Sequence, residues 1–205
     1  IKAKKLGYPK TIKNYCIDLN EYTDNINFIT YTGTPLDILF GLIFLEMRFE
    51  NIVTTLSSDF IENLDLEKYY NDEKNRNIKR QDFINFEIIW DGQKIFYPTI
   101  LDEIIDKFKK YDKYKFLIIP IGIELENGAH SNILFYDKEI NEIERFEPNG
   151  GSYPFKFNYN PKLLNILLKD KFAKFFPNCT YNNPSKFLPK IGFQLLETYD
   201  HYKTK

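Results

Sequence analysis

Cysteine is scarce. The chain of 205 residues holds only Cys16 and Cys179, which excludes a disulfide framework and a four-cysteine zinc site. Histidine is as scarce, with His130 and His201 alone. Neither stands in a close Cys/His/Asp cluster, so no metal site is expected. Charge of one sign is not in excess. Lys and Arg number 28 against 29 Asp and Glu, a net charge of −1, which argues against bulk capture by nucleic acid or an anionic membrane. No apolar run reaches the roughly 18–20 residues that span a bilayer. The longest candidate, Leu36 to Phe49, already contains Asp37, Glu46 and Arg48. No secretory signal heads the chain, and a setting with reduced thiols is expected. There is no Gly-rich phosphate loop, dinucleotide fingerprint or Gly-x-Ser-x-Gly elbow, so no cofactor is expected. Alanine is rare, with 3 residues against 26 Ile, 24 Lys and 20 Asn. This is the mark of AT-rich coding rather than of function.

What is abundant is aromatic residues: 19 Phe and 15 Tyr, within 43% apolar residues overall. Such a chain can bury enough surface to offset its ordering entropy. Its length suits one domain, with residues 1–80 mainly helical and residues 81–205 carrying the sheet. Starting at Ile1 without Met, the chain is expected to be cut short at both ends.

Thr34, Pro35 and Asp37 form an N-terminal helix signature. They predict a helix to Phe49 whose apolar residues wrap most of its circumference, as in a buried core helix. Asp91-Gly92 between Phe86–Trp90 and Lys94–Tyr97 predicts a hairpin. A helix capped by Thr99 is expected over Ile100 to Tyr111. The near-continuous apolar run from Tyr114 to Ile123 reads as a central strand, with Pro120 marking a bulge or strand end. Ser131–Tyr136 and Glu142–Glu147 read as an antiparallel hairpin, and Pro161 opens a helix to about Phe176. A strand-like segment, Gly192 to Leu196, follows. The order is α+β with a mixed or mainly antiparallel sheet, a buried helix and flanking helices.

His130 stands where a loop feeds a core strand, a common address for a functional side chain. Glu147 ends the return strand 17 residues later. Pairing would bring its carboxylate within reach of one imidazole nitrogen, the base–orienter half of a triad. Asn132 shares a face with His130 by the two-residue period. Asn149, just past Glu147, is a second group able to orient the ring. Ser131 lies on the opposite face from His130.

His130-Ser131-Asn132, a strand, a turn and then Glu144-Arg145-Phe146-Glu147-Pro148-Asn149-Gly150 resemble the His–acid half of the ubiquitin-like-protease superfamily. This is the group of the SUMO-specific and adenovirus processing proteases, and the likeness is greatest to members from large DNA viruses. Those also carry a segment similar to Thr32-Gly33-Thr34-Pro35-Leu36-Asp37-Ile38-Leu39-Phe40. The resemblance implies papain-like architecture, with His130 as base, Glu147 as its orienter and Gln194 as an oxyanion donor. It also implies peptide or isopeptide hydrolysis by a thiol protease, a protein substrate or virion proteins as partners, and a virion or host-cytoplasm location. The nucleophilic Cys of that pattern does not follow Gln194. Cys179 lacks the glycine elbow and the helix behind it. Either the nucleophile lies past residue 205, or the domain has lost it and serves as a non-catalytic virion interaction protein.

Overall fold

The computed structural model describes residues 35–56, 86–125, 128–151 and 159–192. The central element is β4 (Phe116–Leu125), which pairs along one edge with β5 (Gly128–Asp137) in antiparallel register, from Phe116↔Asp137 to Leu125↔Gly128. Its other edge is shared by two short parallel strands. β1 (Ile52–Thr54) takes Phe116–Ile118, and β2 (Ile88–Asp91) takes Ile121–Ile123. Pro120 falls in the gap between these partners, where a missing N–H removes least from the ladder. The expected bulge or strand end is therefore absent, and β4 runs through. β3 (Lys94–Phe96) extends the sheet beyond β2. β6 (Glu142–Phe146) pairs antiparallel with β5, and β7 (Thr180–Asn182) pairs parallel with β6. The seven strands form one mixed sheet.

Helices cover both faces. On one, α2 (Leu101–Lys110) and α3 (Pro161–Phe175) pack Ile104, Ile105, Phe108, Leu164, Leu168 and Phe172 on Trp90, Leu117, Ile119, Ile121, Ile123 and Tyr136. On the other, α1 (Pro35–Arg48) sets Leu39, Leu42 and Ile43 against Ile52, Phe116 and Ile118. Alternation along β4 divides its side chains between these two cores. Glu46 of α1 ties the layers by accepting from Thr54 N at 2.7 Å and Thr54 Oγ1 at 2.9 Å. A short helix, α4 (Pro184–Phe187), follows β7.

Three local expectations change. α1 is not buried on most sides: Phe44 is 58% and Met47 77% exposed, because only one of its faces meets the sheet. The first hairpin turns at Gly92–Gln93, both with positive φ, a two-residue loop closed by the Asp91↔Lys94 pair. The turn is thus one residue later than the Asp91-Gly92 pair suggests. α2 begins without a side-chain cap, Ile100 standing at its N-cap; the turn closes by Leu101 N donating to Pro98 O at 3.1 Å. By contrast, α3 is capped as well as opened by proline: Asn160 Oδ1 accepts from Leu163 N at 3.0 Å.

Candidate functional site

The β5–β6 hairpin and the loop after it bring four of the singled-out residues together. His130 lies opposite Ile123 at the start of β5, and Glu147 directly follows β6. His130 Nε2–H donates to Glu147 Oε1 at 2.7 Å. Asn132, two residues along the same face, donates from Nδ2 to Glu147 Oε2 at 2.9 Å. Asn149 donates to Oε1 from its backbone N at 2.9 Å and from Nδ2 at 3.1 Å, and its amide stands 3.3 Å from His130 Nε2. Gln194 and Cys16 lie outside the described residues.

The cluster is closed over. His130 is 9% exposed, Glu147 4% and Asn149 3%. Burial works to raise the Glu147 carboxyl. The hydrogen bond and charge of His130, the Asn149 backbone N–H and the Asn132 amide overcome it and hold the carboxyl at about 2. Glu147 is thus a carboxylate at any ordinary pH, with donors on both oxygens.

Two glycines shape the loop carrying Asn149. Gly150 has φ +99, and a Cβ there would come 2.3 Å from Gly192 N. A Cβ on Gly192 would come 2.2 Å from Pro148 O. Only bare backbones can lie this close. They are joined by Gly192 N donating to Asn149 O at 2.8 Å and Gly151 N to Pro189 O at 2.7 Å.

Arg145 and Tyr159 belong to the site without having been singled out. Arg145, 2% exposed, donates from Nη1 to Asn132 Oδ1 and from Nε to Asn165 Oδ1 of α3 at 2.9 Å. Its Nη1 stands 3.8 Å from Glu147 Oε2, so the buried carboxylate has a buried countercharge. Tyr159 donates its hydroxyl to Glu147 Oε2 at 3.1 Å. Tyr159 also lines an open cleft of about 450 Å³ with Trp90, Asp91, Gly92, Gln93, Glu124, Leu125 and Asn160. The cleft lies at the end of β2 and β4, beside the strand ends that carry His130. Its volume is within the range of ligand-holding clefts, about 300–1,000 Å³.

Cys179 is not part of this arrangement. It precedes Thr180, which pairs with Glu142 at the start of β6, while Glu147 lies past the other end. At about 3.4 Å per strand residue the two ends are roughly 17 Å apart. Cys179 packs against the α2–α3 core, and burial pushes its thiol up rather than down, the wrong direction for a nucleophile.

No protein-family model and no solved structure matches the chain. Two viral proteins do. One, named as an ankyrin repeat protein of Acanthamoeba polyphaga mimivirus, is 38% identical over 179 residues, 84% of this chain and 23% of that protein. The other, an uncharacterized protein of Invertebrate iridescent virus 6, is 28% identical over 123 residues, 57% of this chain and 75% of that protein. The chain therefore spans about a quarter of the first relative and most of the second. These findings overturn the expected peptide or isopeptide hydrolysis and its hydrolase and thiol-protease vocabulary. The relative that matches most of the chain is named for ankyrin repeats, and neither name carries a proteolytic activity. Among the described residues no helix is long and apolar enough to cross a membrane, and no group of His, Cys, Asp and Glu is placed to hold a metal ion.

Proposed function

We propose that this chain is a protein-binding domain of a large DNA virus, acting in the virion or the host cytoplasm. Its frame is that of the papain-like, ubiquitin-like-protease superfamily, used here to hold a partner rather than to cut one. The observation that carries this reading is the double role of Tyr159. Its hydroxyl is held by the buried Glu147 while the residue forms one wall of the cleft. The His130–Glu147 cluster thereby fixes a binding wall, as a preorganised site requires. The burial of His130 also supports a bracing role, since a reacting group would have to reach an imidazole that is 9% exposed. The relative's name points the same way: repeat arrays present extended surfaces to other proteins, and this domain matches one segment of such a protein.

The test is selection of peptides from a displayed random library against the folded 205-residue chain. Selected peptides should bind one to one and be recovered intact by mass spectrometry. Asp91→Trp, which fills the cleft from an exposed strand end, should abolish their binding. Peptides that bind Asp91→Trp as well as wild type, or that are cut in a His130-dependent way, would refute the reading.

A further inference from the structure

We propose that the cleft recognises a basic segment of its partner, seating a lysine or arginine side chain between Asp91 and Glu124. This rests on the cleft being a protein-binding site and adds the chemistry of what enters it. The parallel register Trp90↔Ile123 sets Asp91 beside Glu124 on neighbouring strands. Among the described residues they are the only charged groups that line it. A cleft of one sign with a low-dielectric floor concentrates ligands of the other sign.

A third carboxyl stands behind them. Glu87 directly precedes β2; by strand alternation Ile89 and Asp91 share one face of β2, and Gly122 and Glu124 share the same face of β4. Glu87 is 6% exposed, and its Oε1 has no hydrogen-bond partner. Its Oε2 lies 2.9 Å from where a Cβ on Gly122 would stand, so the absence of a side chain there makes its room. The charge of Glu124 bears on it. A buried carboxyl with one oxygen left without a donor, under the charge of Glu124, is a group whose neutralisation a cation would favour. Tyr159 adds an aromatic wall, which suits a cation beside it. A bare metal ion is a poorer fit, because no three ligating side chains converge among the described residues. An extended chain can lay one basic side chain between Asp91 and Glu124 and its backbone along the cleft.

The experiment uses the full chain and three acetylated, amidated octapeptides alternating leucine with lysine, glutamine or glutamate, read by fluorescence anisotropy. The lysine peptide is expected to bind about tenfold more tightly than the glutamine peptide, with the glutamate peptide weakest. Asp91→Asn and Glu124→Gln should each remove most of the lysine advantage, so that the lysine and glutamine peptides bind each variant alike. Both positions are at least partly exposed, and circular dichroism melts establish that the variants fold. Equal binding of all three peptides, abolished by Asp91→Trp, would overturn the basic preference while leaving the cleft as a protein-binding site. A lysine advantage that survives both neutral variants would overturn it too. No binding of any peptide beyond the level of Asp91→Trp would remove the cleft reading and this inference together. Spermine binding as tightly as the lysine peptide would make the ligand a free polyamine and overturn the assignment to a protein segment.

Discussion

Glu87→Gln replaces a buried carboxyl whose Oε1 has no hydrogen-bond partner among the described residues. Burial first, and the charge of Glu124 second, push the Glu87 carboxyl from 4.5 up to about 7. An acid whose folded pKa is raised holds its proton in the folded state over a range where the unfolded chain has lost it. Its contribution is intact below about 4.5 and is lost as pH rises through about 7. At about 1.4 kcal/mol per pH unit, wild type is expected to lose about 2–3 kcal/mol between pH 5 and pH 8 through this one group. The glutamine variant lacks that loss. A buried amide has its own cost, so the absolute stabilities can differ by a constant. The pH dependence of the difference carries the test. Thermal unfolding of both proteins from pH 5 to pH 8 should show the variant gaining roughly 5–10 °C on wild type, at about 2–4 °C per kcal/mol for a chain of this size. Glu124→Gln should reproduce a minor part of the gain. Two melting curves that run parallel across this range would show that Glu87 is solvated or paired in solution, and would refute the argument.

Four other substitutions extend the tests. Glu147 has the opposite sign: its carboxyl is held down at about 2, so its contribution is present above about 4.5 and lost as pH falls toward 2. Glu147→Gln should cost about 3 kcal/mol in urea unfolding at pH 7 and close to nothing at pH 2; an equal cost at both would refute the pairing. Gly192→Ala should cost more than about 2 kcal/mol, because its Cβ meets backbone at 2.2 Å. Gly41→Ala, with open space around it on exposed α1, should add about 0.5–1 kcal/mol by helix propensity alone; similar effects at the two glycines would show that the 148–151 loop does not rest on 189–192 as described. Cys179, raised by burial, should alkylate more slowly than a free cysteine, with a rate by peptide mapping that His130→Ala leaves unchanged. A rate that falls in that variant would couple the two residues.

Sequence reading reached the strands of the β4–β5–β6 meander because each is a long apolar or alternating run closed by turn residues. The two-residue period then carried it from strand pairing to the group of His130, Glu147, Asn132 and Asn149. It missed what depends on distant chain. β1 is three residues long and forms only because Ile52–Thr54 finds Phe116–Ile118 more than sixty residues on. Arg145 reads as a solvent-facing charge in a hairpin; its burial follows from α3 and Asn165 lying over that face. Tyr159 sits in an aromatic loop with no period to place it. The Thr34-Pro35 signature marked where α1 starts, yet its apolar circumference misled, since Phe40, Phe44 and Met47 face outward. Glu87 is the sharpest failure. One acid in Phe86–Trp90 looks like the polar side of an edge strand, and no local signal says that this side is covered.

Glu147 and Glu87 are buried to nearly the same degree, 4% and 6% exposed, yet their carboxyls settle at about 2 and about 7. Burial alone raises both, so the difference comes from neighbours. Glu147 takes hydrogen bonds from His130, Asn132, Asn149 and Tyr159, with Arg145 behind. Glu87 has an oxygen with none and a second acid nearby. A carboxylate whose lone pairs are already filled gains little from a ligand, and its charge is spent on holding Tyr159 and the 148–151 loop in place. A carboxylate left short of donors gains from any cation that arrives. The cluster that most resembles a reaction centre is therefore the rigid part of this molecule. What it offers a ligand lies at the end of β2 and β4, where Asp91 and Glu124 line the cleft.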